Sequence, residues 1–496
     1  RERFLFNIYR MGRDAIETGQ RGGPYAYVIP PEQWDPSEAL NLVNVFRYSG
    51  VEVHRASGSF QAGGAEYPAG SYILYASQAF RPHLVNLMEP QWYPERERYP
   101  GGPPETPYDL AGWTLPMQMG VRVDRIEAPF EARAEEITEL AQVDAGEVMG
   151  PGGYGYAFGP RSNSAFEAAN RLLARGHAVV ALNGALEESG RTIPAGAFVV
   201  RAGPGVDEAV QSLAGELGLD FTGIAGTPAA MVELRSPRVG LYKPWHSRVD
   251  DQGWTLWLME QYQFPVDTLH DADIRTGDLS AFDAIILPNH PGQEILLGNL
   301  PGTMPDEYVG GLGAQGAGAL EQFVREGGTL IAFDASTDFP IDQFGLPVRN
   351  SVAGLPPEQF FIPGSLIRTE IDTDNPLAFG MQPEVAASFS QSRAFEIVRL
   401  PRAGEGGREP IPEAPAPSVD VVARYADEDL LMSGWAMGEE RYLAGQPALV
   451  SVGLGSGRVV LFGFRPQFRG QPRGTYKLVF NAIHRAAALR RTAARE

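Results

Sequence analysis

Two short apolar runs near residues 240 and 285 decide the fold of this chain. The first run lies in RVGLYKPWH (238–246) and the second in FDAIILPNHP (282–291). A buried parallel strand typically reads as a run of about four apolar residues followed by a polar or Pro-rich loop. Between the two runs, residues 251–263 carry large apolar side chains at helical spacing, and residues 266–269 read as another short strand. This succession of strand, helix, strand and strand predicts a doubly wound α/β sheet.

Polar residues follow these strands and two later ones. Because such a sheet holds ligands at the carboxyl ends of its strands, these side chains are expected to form one crevice. Arginines near the end of the chain are expected to reach the same rim, where a guanidinium suits a carboxylate ligand, although surface ion pairs would explain them equally well. The predicted crevice residues are His246, Asp251, Asn289, His290, Asp334, Ser336, Arg465 and Arg469.

The part of the chain before residue 236 carries an internal repeat. Three pairs of identical residues are each separated by 126 positions: Gly50 and Gly176, Pro68 and Pro194, and Gly70 and Gly196. They predict two related small α/β repeats, over residues 24–148 and 149–235, before a doubly wound domain over 236–496 with an inserted loop near 403–417. A loop rich in aromatic residues, Pro and Gly belongs to the first repeat. We expect it either to lie over the repeats or to form an aromatic surface for a partner or substrate.

Composition and charge exclude several functions. The chain has 496 residues, no cysteine, and a formal net charge of −20 from 41 Lys and Arg against 61 Asp and Glu. The acidic balance argues against nucleic acid and against an anionic membrane surface as partners. No apolar run approaches the roughly 20 residues that cross a bilayer, so membrane insertion is not predicted. Without cysteine there is neither a thiolate nucleophile nor a Cys-ligated metal.

Three stretches resemble a known family. They are residues 27–74, the phrase PYDLAGWTLPMQMG (107–120) and the ending GFRPQFRG (463–470). Together they resemble the C-terminal part of large bacterial zinc carboxypeptidase-like proteins, which carry a carboxypeptidase A-type catalytic domain first. The resemblance implies an extracytoplasmic protein, periplasmic or secreted. It also implies that the zinc belongs to a catalytic domain that precedes this chain. The amphipathic helix of residues 1–23 would then be the continuation of that domain.

The zinc motif of that family is not found in this chain. The family uses His-x-x-Glu with a distant second His, and none of the seven histidines is followed by Glu three residues on. The nearest approximation is His270 with Asp273, which lacks an obvious third ligand. We therefore predict no catalytic residue and no metal or other cofactor in this chain.

Residues 236–496 also resemble the class I glutamine amidotransferase-like fold, which is flavodoxin-like. That fold places a Cys nucleophile on a sharp turn after a central strand, in a Gly-x-Cys-x-Gly setting. Here the matching strand, residues 328–333, runs into Asp334-Ala335-Ser336-Thr337. Ser336 with His290 or His246 as base would be a substitute nucleophile. The missing glycines favour instead a serine that caps the next helix.

Three functions are therefore considered. The first is a non-catalytic region of a zinc carboxypeptidase-like protein, which supports or selects peptide substrate for the catalytic domain of the same polypeptide. The second is an independent hydrolase that uses the crevice. The third is a binding module for peptide or glycan, with the aromatic loop as its platform.

Overall fold

The computed structural model describes residues 1–188, 190–246, 250–398 and 417–493, which form three units. The inserted loop predicted near 403–417 lies, up to residue 416, outside the described residues. Across the described residues, none of the helices is both long and apolar enough to cross a membrane.

The first unit is a five-stranded antiparallel sheet with helices packed beside it. Its strands follow the order β6-β1-β5-β2-β7. The elements are α1 (Glu2–Arg21), β1 (Ala26–Ile29), α2 (Pro36–Tyr48), β2 (His54–Ala56), β3 (Phe60–Ala62), β4 (Ala65–Tyr67), β5 (Tyr72–Tyr75), α3 (Arg81–Met88), α4 (Leu115–Met119), β6 (Asp124–Ile126) and β7 (Ala134–Glu136).

The second unit repeats the plan of the first. Its elements are β8 (Val148–Met149), β9 (Gly155–Phe158), α5 (Asn163–Ala174), β10 (Val179–Leu182), β11 (Leu186–Glu188), β12 (Arg191–Ile193), β13 (Phe198–Arg201), α6 (Val206–Leu217), β14 (Phe221–Ile224) and β15 (Met231–Glu233). The strand order β14-β9-β13-β10-β15 and its antiparallel pairing match the first sheet strand for strand, with β8 added beside β14. The two units are therefore structural repeats. The predicted boundary after residue 148 falls inside β8.

The repeats meet where their helices begin. Asp35 is the N-cap of α2, and its Oδ1 accepts hydrogen bonds from the Ser37 amide at 3.1 Å and from Ser162 Oγ at 3.0 Å. The other oxygen, Oδ2, accepts one from the Asn163 amide of α5 at 2.8 Å. One buried carboxylate thus caps two helices, because a first-turn amide has no partner within its own helix.

The third unit contains the parallel sheet. Its elements are β16 (Val239–Tyr242), α7 (Asp250–Gln261), β17 (Val266–Leu269), α8 (Asp271–Thr276), β18 (Ala284–Leu287), α9 (Gly292–Leu297), α10 (Gly313–Arg325), β19 (Thr329–Phe333), α11 (Asp338–Phe344), β20 (Val348–Asn350), β21 (Pro363–Ile371), β22 (Glu384–Ser390), β23 (Phe395–Ile397), β24 (Val419–Tyr425), β25 (Leu431–Ser433), α12 (Glu439–Tyr442), β26 (Pro447–Leu454), β27 (Gly457–Phe462) and α13 (Tyr476–Ala493).

The strand order of this unit is flavodoxin-like, as predicted. The parallel strands lie in the order β17-β16-β18-β19-β27, which in chain order is 2-1-3-4-5. Antiparallel strands β26, β24, β21 and β22 extend the sheet beyond β27. Helices cover both faces: Ile286 packs in the core with α13, whereas the adjacent Ile285 packs in the core with α10. Both faces of β18 are buried, which explains why the strand is continuously apolar.

The aromatic loop (residues 91–120) connects the first repeat to the third unit. Tyr93 stacks on Trp435 with 5.7 Å between ring centroids, and its amide donates to the Gly434 carbonyl at 3.0 Å. Gly112 approaches the third unit so closely that a Cβ there would lie 2.4 Å from the Ser433 carbonyl oxygen. The loop therefore packs on the third unit, and it also packs on the first repeat, because Leu115 and Met119 belong to the core of that repeat. Tyr108 remains fully exposed.

Helix α1 leaves much of its apolar face in solvent. Ala15 and Gly19 are buried near its C-terminal end. Near its start the large apolar side chains are 52–70 % exposed, and they are Phe4, Leu5, Phe6, Ile8, Tyr9 and Met11. The predicted helix is therefore present, with an apolar surface that the described residues leave uncovered.

Candidate functional site

Seven of the eight predicted crevice residues lie at the carboxyl edge of the parallel sheet or at the start of the helix beside it. His246 follows β16, Asn289 and His290 follow β18, Asp334 and Ser336 follow β19, Arg465 follows β27, and Asp251 begins α7. These strands are neighbours and run parallel, so the residues that follow them meet. They form two clusters, one closed and charged, the other partly open.

Asp334 stands in the closed cluster, directly after β19. The residue has φ 50°, a left-handed conformation uncommon for a non-glycine residue. Its carboxylate is buried and accepts a hydrogen bond from Ser392 Oγ at 3.0 Å, and it lies 3.4 Å from Arg393 Nη1 and 3.7 Å from Arg465 Nε. Burial raises the pKa of Asp334, and the two guanidinium groups oppose that rise. An ion-paired carboxylate therefore occupies the sharp turn after β19.

Asp251 shares Arg465 with Asp334. Its Oδ2 lies 3.1 Å from Arg465 Nε, and its side chain is 1 % exposed. Burial raises the pKa of Asp251 from 3.8 to about 6, although the nearby Arg465 lowers it. The Arg465 guanidinium also lies over the Phe468 ring, 4.6 Å from its centroid. Arg465 thus links α7 to the turn after β19 and fills the centre of the predicted crevice.

The Ser336 hydroxyl is engaged by the backbone. It accepts a hydrogen bond from the Phe333 amide at 2.9 Å, and it can donate to the Leu287 carbonyl at 2.9 Å or the Phe333 carbonyl at 2.8 Å. The side chain is fully buried. This arrangement matches the capping interpretation and leaves Ser336 without the exposure that a nucleophile needs.

The open cluster joins His246 and His290 to Glu294, a residue that sequence reasoning missed. Glu294 Oε2 lies 3.2 Å from His246 Nδ1 and 3.4 Å from His290 Nε2. His290 is 2 % exposed, whereas the other two side chains are each 34 % exposed. The available signal was the closeness of His290 and Glu294 in the sequence, where both follow the strand over residues 284–287. The search for His-x-x-Glu could not detect it.

Arg469 does not reach the crevice, which corrects the prediction. Its Nη1 and Nη2 atoms bind the Asp109 carboxylate of the aromatic loop at 2.7 and 2.8 Å. The residue has φ 53°, and this turn directs the guanidinium to the first repeat. Arg469 therefore forms a surface ion pair, which is the alternative that the sequence left open for it. The ion pair between Arg469 and Asp109 connects two of the stretches that carry the carboxypeptidase resemblance, 107–120 and 463–470.

The His270 motif is used by the local fold. The imidazole stacks on Trp245 with 3.7 Å between centroids and 1° between planes, and its Nδ1 lies 2.8 Å from the Lys243 carbonyl oxygen. Asp273 Oδ2 accepts the His270 amide at 2.8 Å and caps α8. These contacts hold the loop that leads to His246.

A cleft between the two repeats was not predicted from the sequence. Its volume is about 770 Å³, within the range usual for ligand sites. Its apolar lining comes from Pro31, Leu40, Pro194, Leu217 and Leu219, and its polar and aromatic lining includes Trp34, Arg55, Tyr72, Asp144 and Arg161. The Pro-Ala-Gly turns of both repeats contribute to it. It forms because the repeats face each other where Asp35 joins α2 and α5.

Two arginines of this cleft differ in their partners. Arg55 Nη2 binds Asp144 Oδ2 at 2.6 Å. The Arg161 guanidinium lies over the Trp34 ring, 4.3 Å from its centroid, and none of the salt bridges within the described residues includes it. Trp34 is fixed by a hydrogen bond of 2.9 Å from Nε1 to the Gly380 carbonyl. Arg161 is thus a cation on an aromatic support at the mouth of a large cleft.

Comparison with known proteins gives distant likenesses in structure alone. No family model and no curated protein matches the chain. A ThuA-like protein from Bacteroides uniformis is 13 % identical with a TM-score of 0.30, and the match covers 53 % of this chain and 95 % of that one. A glutamine amidotransferase from Thermotoga maritima is 10 % identical with a TM-score of 0.30, over 51 % of this chain and 99 % of that one. A β-galactosidase from Bacillus circulans is 13 % identical with a TM-score of 0.31, over 51 % of this chain and 31 % of that one. The fold assignment rests on the strand order of the third unit.

Proposed function

We propose that this chain is a non-catalytic region that binds the carboxyl-terminal end of a peptide in the cleft between the repeats. In this proposal it selects substrate for a zinc carboxypeptidase-type catalytic domain of the same polypeptide. Arg161 on Trp34, at the mouth of the 770 Å³ cleft, is the observation that carries the proposal.

Arg161 suits a terminal carboxylate for physical reasons. A guanidinium presents several N–H groups in one plane and binds carboxylates in a fixed geometry. Stacking on Trp34 leaves its edge available for a ligand and restricts its rotation. In a chain of net charge −20, a cation without a salt bridge among the described residues supports local attraction of an anionic group. The apolar lining from Leu40, Pro194 and Leu217 would accept a side chain of the peptide.

The amidotransferase-like crevice supports the non-catalytic part of the proposal. Asp334, which directly follows β19, is closed in by Arg393, Arg465 and Ser392. The Ser336 hydroxyl bonds to backbone groups. Neither group is arranged as a nucleophile beside a base, which acyl transfer would require.

The link to a carboxypeptidase rests on the sequence resemblance. Two of its three stretches, 107–120 and 463–470, contact each other through Asp109 and Arg469. The exposed apolar residues of α1 offer a surface on which a further domain would pack. An extracytoplasmic location is part of this proposal and has the same basis.

Binding of short labelled peptides, measured by fluorescence anisotropy, tests the proposal. The chain is expected to bind peptides with a free C-terminal carboxylate and to leave them intact. Amidated peptides and the Arg161→Gln variant should bind about 10- to 100-fold more weakly, because a hydrogen bond to a charged group contributes roughly 1.5–3 kcal/mol. Arg175→Gln, an exposed arginine at the end of α5, is the matched control and should bind like the unmodified chain.

Three results would overturn the proposal. One is equal affinity for free and amidated peptides. Another is saturable binding of neutral oligosaccharides with no binding of peptides, which would identify a glycan module. The third is cleavage of peptides by the purified chain, which would establish an independent hydrolase.

A further inference from the structure

We propose that His246, His290 and Glu294 form a binding site for one divalent transition metal ion, with zinc as the preferred metal. The two imidazoles and the carboxylate each offer one ligand atom, and these three atoms lie within 4.8 Å of one another. This site is independent of the peptide cleft and of the proposed function.

Two of the three separations between ligand atoms match those of tetrahedral coordination. Zinc binds imidazole nitrogen and carboxylate oxygen at about 2.0–2.2 Å, so two ligands at the tetrahedral angle lie about 3.4 Å apart. The measured distances from Glu294 Oε2 are 3.2 Å to His246 Nδ1 and 3.4 Å to His290 Nε2. The two histidine nitrogens lie within 4.8 Å of each other, so they would approach by up to about 1.4 Å when one ion binds all three atoms.

The fold fixes these residues without the help of a metal. His246 and His290 follow β16 and β18, adjacent parallel strands whose carboxyl ends meet at one edge. Glu294 lies in the first turn of α9, and His290 lies just before this helix, so the two side chains come within 3.4 Å of each other. Trp245 stacks on His270 and makes an edge contact with Tyr308, which holds the residue before His246. The ligands are thus arranged in advance, which lowers the entropic cost of binding an ion.

The ligand chemistry and exposure select the class of ion. Imidazole nitrogens favour zinc and its neighbours over magnesium and calcium, which prefer oxygen ligands. Three protein ligands leave a fourth tetrahedral position for water or another ligand. His290 is buried while His246 and Glu294 are about one-third exposed, so the cluster is open to solvent on one side.

Ion pairs between protonated histidines and Glu294 would give the same distances. The two cases differ in what they bind: a metal site takes up one ion with a defined affinity and geometry, whereas ion pairs do not. Metal binding is therefore the property to measure.

The test uses the full chain, produced without a polyhistidine tag and freed of metal with a chelator. Titration with Zn²⁺ by calorimetry is expected to give one site per chain. Titration with Co²⁺ is expected to give the visible absorption bands of a four-coordinate ion. Glu294→Gln preserves the shape of a side chain that is about one-third exposed, and it should weaken zinc binding by about 100-fold or more, since loss of even an outer partner of a ligand costs 10- to 100-fold. His246→Ala should do the same, and His177→Ala, in the second repeat, is the matched control.

The absence of a stoichiometric zinc site at micromolar concentrations would overturn the proposal. So would a site of unchanged affinity in both Glu294→Gln and His246→Ala, because the ion would then lie elsewhere. Weakening by His177→Ala equal to that by His246→Ala would point to adventitious surface binding and would also overturn it. Circular dichroism of each variant verifies that the fold is retained.

Discussion

Replacing Asp251 by Asn should change how the stability of the chain depends on pH. Asp251 is 1 % exposed, and burial raises its pKa from 3.8 to about 6 against the opposing effect of Arg465. The folded state therefore binds this proton more tightly than the unfolded state. The stabilisation that results is complete below pH 4 and is lost as pH rises through 6. A difference of about two pKa units corresponds to about 3 kcal/mol.

The measurement is urea unfolding of both proteins at pH 4, 5, 6 and 7. Asn cannot ionise, so the variant lacks this loss, and its stability relative to the unmodified chain should rise by about 3 kcal/mol between pH 4 and pH 7. Most of the change should fall between pH 4 and pH 6. Asp267→Asn, an exposed aspartate of β17, is the control and should show a much smaller change. A flat difference across this pH range, or one that falls with rising pH, would refute the interpretation of Asp251 as a buried carboxyl with a raised pKa.

Three further changes test other parts of the structure. Arg465→Met removes the cation between Asp251 and Asp334 and should lower the free energy of unfolding by about 3–5 kcal/mol at pH 7, as measured in urea; a loss below 1 kcal/mol would contradict the buried network. Burial lowers the pKa of His484 to about 4 from 6.5, so its stabilisation is present above pH 6.5 and lost as pH falls through 4. Between pH 7 and pH 4, the free energy of unfolding should therefore fall by about 3 kcal/mol less in His484→Leu than in the unmodified chain. Equal decreases in the two proteins would count against a buried neutral imidazole. Ile8→Glu, on the exposed face of α1, should leave the melting temperature unchanged, because the Ile8 side chain is 52 % exposed; a large drop in melting temperature would mean that this face packs within the chain.

The flavodoxin-like sheet was predictable because its strands are buried on both faces. Strands such as β18 and β19 read as continuous apolar runs that end at polar loops, and this pattern is typical of parallel strands covered by helices on both faces. The internal repeat was predictable because turns constrain residue identity: Gly70 and Gly196 both have positive φ, which favours glycine. The position of the aromatic loop was not predictable. It depends on the contact of Gly112 with Ser433, more than 300 residues away in the chain.

The sequence predicts which polar residues lie at the carboxyl edge of the sheet, but it does not predict how their side chains are arranged. Strand order brings His246, His290 and Asp334 together, and the sequence carries that information. Whether Arg465 would bind a ligand or the protein's own Asp251 depends on distances that no pattern encodes. Glu294 was not identified because it follows His290 by four positions, whereas the Glu of a His-x-x-Glu motif follows its His by three. The cleft between the repeats depends on how two folded units face each other, which no local pattern records.

Hydrogen exchange measured by mass spectrometry, with and without a saturating peptide that has a free C-terminal carboxylate, locates the ligand directly. Binding in the cleft between the repeats predicts slower exchange in residues 30–40 and 159–164, around Trp34 and Arg161. It also predicts unchanged exchange in residues 289–297 at the edge of the parallel sheet. Protection confined to residues 289–297, with none in either cleft segment, would contradict the proposal that the repeats form the binding site.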